Sequence, residues 1–165
     1  MLRYQQPLNN IHLIPLPYVS DSSIYFEAIA NDPWSFYLDS GIQNGLDKNI
    51  SEKSRYDIIV SQPFIKIIAD ECNVSIEENN LKKITKGNPF DILEEILSGF
   101  DIQETSLPFT GGALGYFSYE LGQSTIQNNK DHIGIPLMMV GIYDWALIVD
   151  HQDKKAYLAS HLVNK

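Results

Sequence analysis

The sequence predicts an α+β fold in which mostly antiparallel or mixed β-sheets pack against a few helices. Segments with the two-residue period of strands outnumber segments with the helical period. Short turn-like segments join neighbouring strands, which favours antiparallel pairing over a doubly wound parallel sheet. With 165 residues and 44% hydrophobic content, the chain can bury a sizeable core. We therefore expect residues 1–165 to form a single domain.

The N-terminal part predicts a strand, a helix and a second strand. Residues 11–16 are apolar, and the prolines within and after them predict an edge strand, because proline cannot donate a ladder hydrogen bond. Ser20 or Asp21 is placed to cap a helix that runs to about Asn31. Residues 34–40 alternate as a strand does, and a polar loop follows them.

β-Branched residues predict further strands in the next part of the chain. The runs 55–62 and 64–69 are separated by Pro63, which suggests a tight turn or a bulge between paired strands. Weaker and more polar strands are expected at residues 73–77 and 81–85.

The clearest helix is predicted at residues 89–98. Asn88 is placed to cap it, a proline occupies its first position, and its isoleucines and leucines form one apolar stripe. Gly99 follows as the expected left-handed terminator.

Strands are also expected near the C-terminus. Residues 137–150 form a long apolar run and residues 154–162 alternate, so a hairpin turn is expected at 151–154. His151 is then expected to face solvent. The polar residues 123–131 predict a loop or a short helix before these strands.

A glycine-rich segment at residues 108–122 interrupts an otherwise strand-like run. Gly111, Gly112 and Gly115 mark a bulge or a place where another backbone or a ligand approaches closely. The segment matches neither of the common phosphate-binding glycine patterns, so it does not indicate a nucleotide site.

Composition excludes several classes of protein. The net charge of −9 and the pI near 4.7 argue against binding to nucleic acid or to an anionic membrane surface. Cys72 is the single cysteine and the four histidines are scattered, so neither a disulfide framework nor a zinc site is expected. No apolar stretch reaches the roughly 20 residues of a membrane span, and the first residues do not have the pattern expected of a secretion signal. We expect a cytoplasmic protein.

Polar residues inside apolar strands are the candidates for ligand binding. Asp39, Ser40 and Arg55 lie at the ends of neighbouring predicted strands and could together bind a zwitterion. Equally, Arg55 and Asp57 could form a structural ion pair. Asp144 is either a buried, hydrogen-bonded carboxylate or an outward-facing edge position.

Four segments together resemble a known family. They are 33–41 (PWSFYLDSG), 54–57 (SRYD), 109–120 (FTGGALGYFSYE) and 141–151 (GIYDWALIVDH). In this order they are similar to the N-terminal region of aminodeoxychorismate synthase component I and its relative anthranilate synthase component I. The last segment favours the aminodeoxychorismate branch. The resemblance covers about residues 10–163 and implies the N-terminal part of the chorismate-utilising synthase fold.

The resemblance implies a synthase that replaces the chorismate 4-hydroxyl group with an amino group on the way to p-aminobenzoate and folate. The ammonia would come from a glutamine amidotransferase subunit. The chorismate pocket, the Mg²⁺-binding glutamates and the catalytic lysine belong to a C-terminal half that this chain lacks. Alone, the chain is therefore expected to be inactive, with no catalytic or metal-binding residue of its own.

The resemblance also implies one wall of a tryptophan pocket. Lys53 stands where relatives also have aromatic residues, and the remaining wall would come from the missing half, so weak affinity for tryptophan is expected. The implied ligand-binding residues are Leu38, Asp39, Ser40, Ser54, Arg55 and Tyr56.

Other functions stay open at the sequence level. They are the N-terminal region of anthranilate synthase component I, a stand-alone amino-acid-binding regulatory domain, and an interaction module for the amidotransferase. Without the C-terminal half, exposed apolar faces and unpaired strand edges predict that the chain forms a homodimer or dissolves poorly.

Overall fold

Within the described residues, the fold consists of two antiparallel five-stranded sheets and two α-helices, which confirms the predicted α+β class. The computed structural model describes residues 11–41, 54–100, 105–123 and 134–161. The helices are α1 (Ser23–Glu27) and α2 (Pro89–Leu97). The strands are β1 (Ile11–Leu16), β2 (Phe36–Leu38), β3 (Tyr56–Val60), β4 (Ile65–Ala69), β5 (Val74–Glu78), β6 (Leu81–Thr85), β7 (Gly112–Phe117), β8 (Met138–Tyr143), β9 (Trp145–Asp150) and β10 (Lys155–His161).

The first sheet has the strand order β1-β10-β9-β3-β2. β1 lies at its edge, as its prolines predict. One face of this sheet packs against α1, where the buried Ile59 and Leu147 meet Tyr25 and Phe26. Its other face carries Tyr56 and Ile148. This face packs against Leu107, Phe109 and Leu114, the last of which belongs to β7 of the second sheet.

The second sheet has the order β6-β5-β4-β8-β7. The two weak polar strands of the sequence are confirmed as β5 and β6. α2 packs its buried Leu93 and Ile96 into the core of this sheet, beside Ile67 and Val140. The helical stripe read from the sequence is therefore the face that α2 buries.

Two expected strand arrangements are wrong. The runs on either side of Pro63 do not pair, because β3 belongs to the first sheet and β4 to the second. The run 137–150 is two strands, since β8 and β9 lie in different sheets and separate at the half-buried Asp144. The Asp144 carbonyl accepts a hydrogen bond from the His161 amide at 2.7 Å. Strand periodicity alone cannot show that a chain leaves one sheet for another.

The helix ends differ in part from the sequence prediction. Asn88 caps α2 as expected, since its side chain accepts from the Phe90 amide at 2.9 Å. Gly99 is not a left-handed terminator: α2 ends at Ser98 with right-handed geometry, and Gly99 has no positive φ. α1 is much shorter than expected, and its N-cap Ser22 makes no side-chain capping bond.

Close approach of a neighbouring backbone explains the glycine-rich segment. Gly115 lies on β7 opposite Val140 on β8, and a Cβ placed there would lie 2.7 Å from the Val140 Cα. A Cβ on Gly111 would lie 2.8 Å from the Tyr143 carbonyl oxygen. The glycines thus serve strand packing, which is one of the two roles that the sequence allowed.

Some sequence predictions fall on other parts of the chain. The turn at 151–154 between β9 and β10 is confirmed. Most of the polar loop predicted at 41–51, Lys53 and most of the segment 123–131 lie outside the described residues. Neither helix in the described ranges is long and apolar enough to cross a membrane.

Candidate functional site

The two segments of the predicted ligand site meet at one end of the β2–β3 hairpin. Leu38 is paired with Ile58 in an antiparallel register, so the end of β2 and the start of β3 lie side by side. Beyond this ladder, a hydrogen bond from the Ser40 amide to the Asp57 side chain keeps the chain beside the start of β3. The structure therefore brings the segment 38–40 next to the segment 54–56.

The residues that follow β2 turn the chain tightly. Leu38 is 47% exposed. The exposed Asp39 accepts a hydrogen bond from the Gly41 amide at 2.7 Å through Oδ1, so it closes its own turn. The Ser40 amide donates to Asp57 Oδ1 at 2.8 Å. This segment is thus anchored to β3 by its backbone.

The Ser40 hydroxyl is buried and has no hydrogen-bond partner among the described residues. It lies near enough to Asp57 to influence that carboxylate, although outside hydrogen-bond geometry. A buried hydroxyl without a partner costs stability. It is therefore the group at this site that a polar ligand atom would satisfy.

Arg55 binds acidic residues of the β9–β10 turn. Its Nε lies 3.0 and 3.1 Å from the two carboxylate oxygens of Asp150, and its Nη2 lies 2.6 Å from Asp150 Oδ2. Nη2 also lies 3.2 Å from Asp153 Oδ2. The hydrogen bonds that Arg55 donates to Asp150 raise the pKa of Arg55, against the effect of burial. The predicted Arg55–Asp57 ion pair is wrong, because Asp150 takes that place.

Tyr56 lies on the sheet face opposite Asp57. The Arg55 guanidinium carbon stands 4.8 Å from the centre of its ring. The ring packs against the buried apolar cluster that includes Val60 and Ile148. Leu114 of β7 packs against the same cluster, so the glycine-rich strand shares this core with Tyr56.

Asp57 is the centre of a buried polar network that the sequence did not predict. It is 3% exposed. Its Oδ2 accepts hydrogen bonds from the Ser22 hydroxyl and from His151 Nε2, the latter at 2.7 Å. Its Oδ1 accepts the Ser40 amide. One carboxylate therefore joins α1, the end of β2, β3 and the turn after β9.

His151 is buried, which corrects the expectation that it faces solvent. It is 4% exposed, although its neighbours in the turn are exposed. Its amide donates to the Arg55 carbonyl at 3.0 Å, which extends the β3–β9 ladder by one pair and turns the ring inward. Side chains alternate between the two faces along β9, and continuing that alternation into the turn would have predicted a buried His151. The polar residues that follow His151 indicated an exposed turn instead.

The chemistry of each partner fixes the direction of these hydrogen bonds. An ionised carboxylate only accepts, so Ser22 and His151 Nε2 both donate to Asp57. The Ser22 oxygen then accepts from the Tyr37 hydroxyl at 2.8 Å. The Tyr18 hydroxyl, 3.2 Å from His151 Nδ1, donates to that nitrogen when the ring is neutral.

This network differs from a nucleophilic triad. In a triad the serine hydroxyl contacts the histidine ring, whereas here Ser22 and His151 both contact the same carboxylate oxygen. Ser22 is also only 1% exposed, so no substrate reaches it. The arrangement is suited to holding backbone segments in place.

The pKa of Asp57 lies below its ordinary value. Burial alone would raise this pKa, but the interactions with Ser22, Ser40 and His151 outweigh it and favour the ionised form. The pKa of Asp150 is lowered in the same way, since the Arg55 and backbone hydrogen bonds outweigh burial. Both carboxylates are therefore charged at neutral pH.

The described part of the chain offers no site for a metal ion. Within it, no three or more His, Cys, Asp or Glu side chains are grouped so that they could bind one. The Mg²⁺ that the sequence resemblance implies has no ligand set among these residues.

Relatives of known name match most of this chain. It is 36% identical over 146 residues to aminodeoxychorismate synthase component 1 of Escherichia coli (strain K12), which covers 85% of this chain and 31% of that protein. It is 34% identical over 156 residues to the protein of the same name from Klebsiella aerogenes, covering 90% of this chain and 33% of that protein. The chain thus spans about a third of the length of these relatives.

More distant matches carry the name of a related enzyme. The anthranilate synthase alpha subunit 2 of Oryza sativa subsp. japonica is 26% identical over 165 residues, covering 92% of this chain and 25% of that protein. The crystal structure of anthranilate synthase component I from Streptococcus pneumoniae TIGR4 superposes with a TM-score of 0.53 at 24% identity. It covers 73% of this chain and 28% of that chain, and it supports the fold alone.

No protein-family model matches the sequence. The pairwise matches nevertheless extend over both segments of the candidate site and agree with the resemblance found in the four sequence motifs. The chain belongs to the family of aminodeoxychorismate synthase component 1 and anthranilate synthase component I and fits its N-terminal region.

Proposed function

We propose that this chain is the N-terminal part of an aminodeoxychorismate synthase component 1, and that the end of its β2–β3 hairpin is one wall of a tryptophan pocket. The observation that carries the first statement is the 36% identity with the Escherichia coli protein over 85% of this chain. The pocket is supported by the Ser40 hydroxyl, which is buried and has no hydrogen-bond partner among the described residues.

The groups at this wall suit a zwitterionic amino acid with an aromatic side chain. The Ser40 hydroxyl can either donate to a carboxylate or accept from an ammonium group. The Tyr56 ring offers an apolar surface for an aromatic side chain. Arg55 is already bound to two carboxylates, so in this proposal it orients the hairpin and the ligand carboxylate meets hydroxyl or amide donors instead.

The reaction itself is assigned to a part of the protein outside these 165 residues. In the proposed whole enzyme, an amino group replaces the 4-hydroxyl group of chorismate, a glutamine amidotransferase subunit supplies ammonia, and Mg²⁺ assists at the chorismate site. This chain contributes the binding wall and the packing surface. Alone it turns over no chorismate.

Calorimetric titration with L-tryptophan tests the pocket. We expect weak, saturable binding to the chain, which Ser40→Ala lowers at least fivefold. Ser61→Ala is the matched control, because Ser61 is a serine with a buried side chain that directly follows the other end of β3. Absence of saturable binding at millimolar tryptophan contradicts the pocket.

Product analysis tests the enzyme assignment in the longer protein that contains this sequence. With chorismate, ammonia and Mg²⁺, we expect aminodeoxychorismate. Anthranilate as the product supports the second candidate, anthranilate synthase component I, which the match to the Oryza sativa protein favours. A protein that makes neither product but binds tryptophan supports a regulatory domain. One that binds only the amidotransferase supports an interaction module.

A further inference from the structure

The Ser22–Asp57–His151 network lies directly behind the candidate ligand site. Asp57 and Tyr56 are adjacent on β3, so their side chains point to opposite faces of the first sheet. Tyr56 faces the proposed pocket, whereas Asp57 faces α1. The Ser40 amide connects the candidate site to the network, because it donates a hydrogen bond to Asp57 Oδ1 at 2.8 Å.

We propose that Asp57 is a positioning residue that fixes the Ser40 peptide, and with it the ligand-binding end of the β2–β3 hairpin, while Ser22 and His151 hold its carboxylate in place. This inference rests on the proposed tryptophan pocket for its ligand. The positioning of Ser40, however, is a property of the chain that can be measured without any ligand.

The geometry leaves Asp57 little freedom to move. Its Oδ2 is held from α1 by Ser22 and from the β9–β10 turn by His151 at 2.7 Å. Its Oδ1 therefore stays directed at the Ser40 amide. Charge-assisted hydrogen bonds of this kind are shorter and stronger than neutral ones.

The remaining contacts of the Ser40 segment cannot replace Asp57. The Gly41 amide is bound by Asp39 within the same turn, which closes the turn but does not attach it to the sheet. The regular β2–β3 ladder ends at Leu38. Among the described residues, Asp57 therefore attaches the segment beyond β2 to the first sheet. Ser40 in that segment also carries the buried hydroxyl that has no partner among the described residues.

Asp57→Asn is the informative substitution. An amide side chain places an NH₂ group where one carboxylate oxygen stood. An NH₂ group that faces the Ser40 amide breaks the attachment, and one that faces Ser22 and His151 requires both of these groups to exchange their donor role for an acceptor role. The variant should keep its volume and fold but lose the charge-assisted attachment.

Amide hydrogen exchange measures positioning without ligand. In Asp57→Asn we expect the Ser40 and Gly41 amides to exchange at least tenfold faster, while the core amide of Val140 in the second sheet changes less than twofold. Gly41 is decisive, because its amide does not bind Asp57 and accelerates only if the whole turn loosens. Ser61→Ala, the control directly after the far end of β3, should leave all of these rates within twofold.

Ser22→Ala is the second variant in case Asp57→Asn fails to fold. It removes one of the two contacts that hold Oδ2 and leaves the carboxylate in place. We expect a smaller, roughly threefold acceleration at Ser40 and Gly41 with Val140 unchanged. Unchanged rates at Ser40 and Gly41 in a folded variant of either kind overturn the proposal.

Tryptophan titration adds the functional arm, performed well below the unfolding temperature. If the unsubstituted chain binds, Asp57→Asn should weaken binding at least tenfold and Ser61→Ala less than twofold. Equal binding by Asp57→Asn and the unsubstituted chain overturns the positioning role. If the unsubstituted chain does not bind, the tryptophan pocket fails, and the exchange rates alone decide whether Asp57 positions Ser40.

Discussion

At the scale of single residues, the candidate site depends on two buried carboxylates that stay charged. Asp57 faces three hydrogen-bond donors, and Asp150 faces the Arg55 guanidinium and two turn amides. A buried charge is tolerated only when it is satisfied in this way. The contacts that hold the end of the hairpin therefore depend on the ionised form of each of these two carboxylates.

Acid should destabilise the protein partly through Asp150. Its pKa is lower in the folded chain than in the unfolded chain, because Arg55 and the turn amides outweigh burial. Its contribution to stability is therefore complete above its unfolded pKa of about 3.9 and is lost as the pH falls through its folded pKa. Asp150→Asn should cost on the order of 2 kcal/mol at pH 7. In denaturant titrations, the difference from the unsubstituted chain should shrink below about pH 4.

Asp153→Asn is the control for this prediction. Asp153 also binds Arg55, but its side chain is 49% exposed. Exposed ion pairs contribute about 0–1 kcal/mol, so we expect a change within about 0.5 kcal/mol. A difference between Asp150→Asn and the unsubstituted chain that stays constant down to pH 3 would contradict the role given to Asp150.

Gly115→Ala should destabilise the second sheet. The new Cβ would lie against the Met139 carbonyl oxygen and 2.7 Å from the Val140 Cα, and both are backbone atoms that cannot move aside. We expect a loss of about 2 kcal/mol or more in the free energy of unfolding. Gly122→Ala should change it by only about 0.5 kcal/mol, since a Cβ there meets nothing within 4 Å. Equal effects in chemical denaturation would refute this reading of Gly115.

Sequence reasoning named residues of the two hairpin segments but not the polar network behind them. Ser40 and Tyr56 each lie in a short sequence motif, and the other residues of that motif lie beside them in the structure. Ser22 and His151 were missed because they join Asp57 only after the first sheet has formed, and His151 is 94 residues away from Asp57 along the chain. No local pattern encodes that contact.

At the scale of elements, several local signals were reliable, although those for the length of α1 and for Gly99 were not, and sheet membership had no local signal. The prediction of α2 succeeded because its cap, its first-position proline and its apolar stripe are all local features. The β5–β6 hairpin likewise has a local cause, since Asn79 and Asn80 both adopt positive φ in its turn. In contrast, no local feature distinguishes β3 from β4, or β8 from β9, by the sheet that each one joins.

The Asn88 cap can be tested directly. Asn88→Ala leaves the Phe90 amide without its side-chain acceptor, so we expect a loss of about 1 kcal/mol in thermal or chemical unfolding. Asn88→Asp should restore most of it, because aspartate caps equally well. If the alanine and aspartate variants are equally stable, the cap contributes nothing to α2.

At the scale of the whole molecule, apolar residues remain exposed at a sheet edge. β6 pairs only with β5 in the described part of the chain, and Leu81 and Ile84 on it are 77% and 63% exposed. An edge of this kind is a template for association with another chain, although Lys82 and Lys83 oppose it.

We expect association that grows with protein concentration and depends on β6. Replacing both Leu81 and Ile84 by threonine keeps the strand propensity and removes the apolar contact, so it should shift the sedimentation profile towards the monomer. Ile24→Thr is the control, because Ile24 is 58% exposed but lies on α1. A monomer at all concentrations, or equal effects of both changes, would contradict association through this edge.

The order of the strands in the two sheets has a consequence for how the site comes into being during synthesis. All five strands of the second sheet are consecutive, from β4 to β8, whereas the first sheet combines β1–β3 with β9 and β10. The second sheet can therefore assemble on the ribosome before β9, the pairing partner of β3, has been synthesised. Neither the partner of Arg55 nor the histidine behind Asp57 exists until the β9–β10 turn has been made. A nascent chain that stops before that turn would have the binding motif in its sequence and no binding wall in its structure.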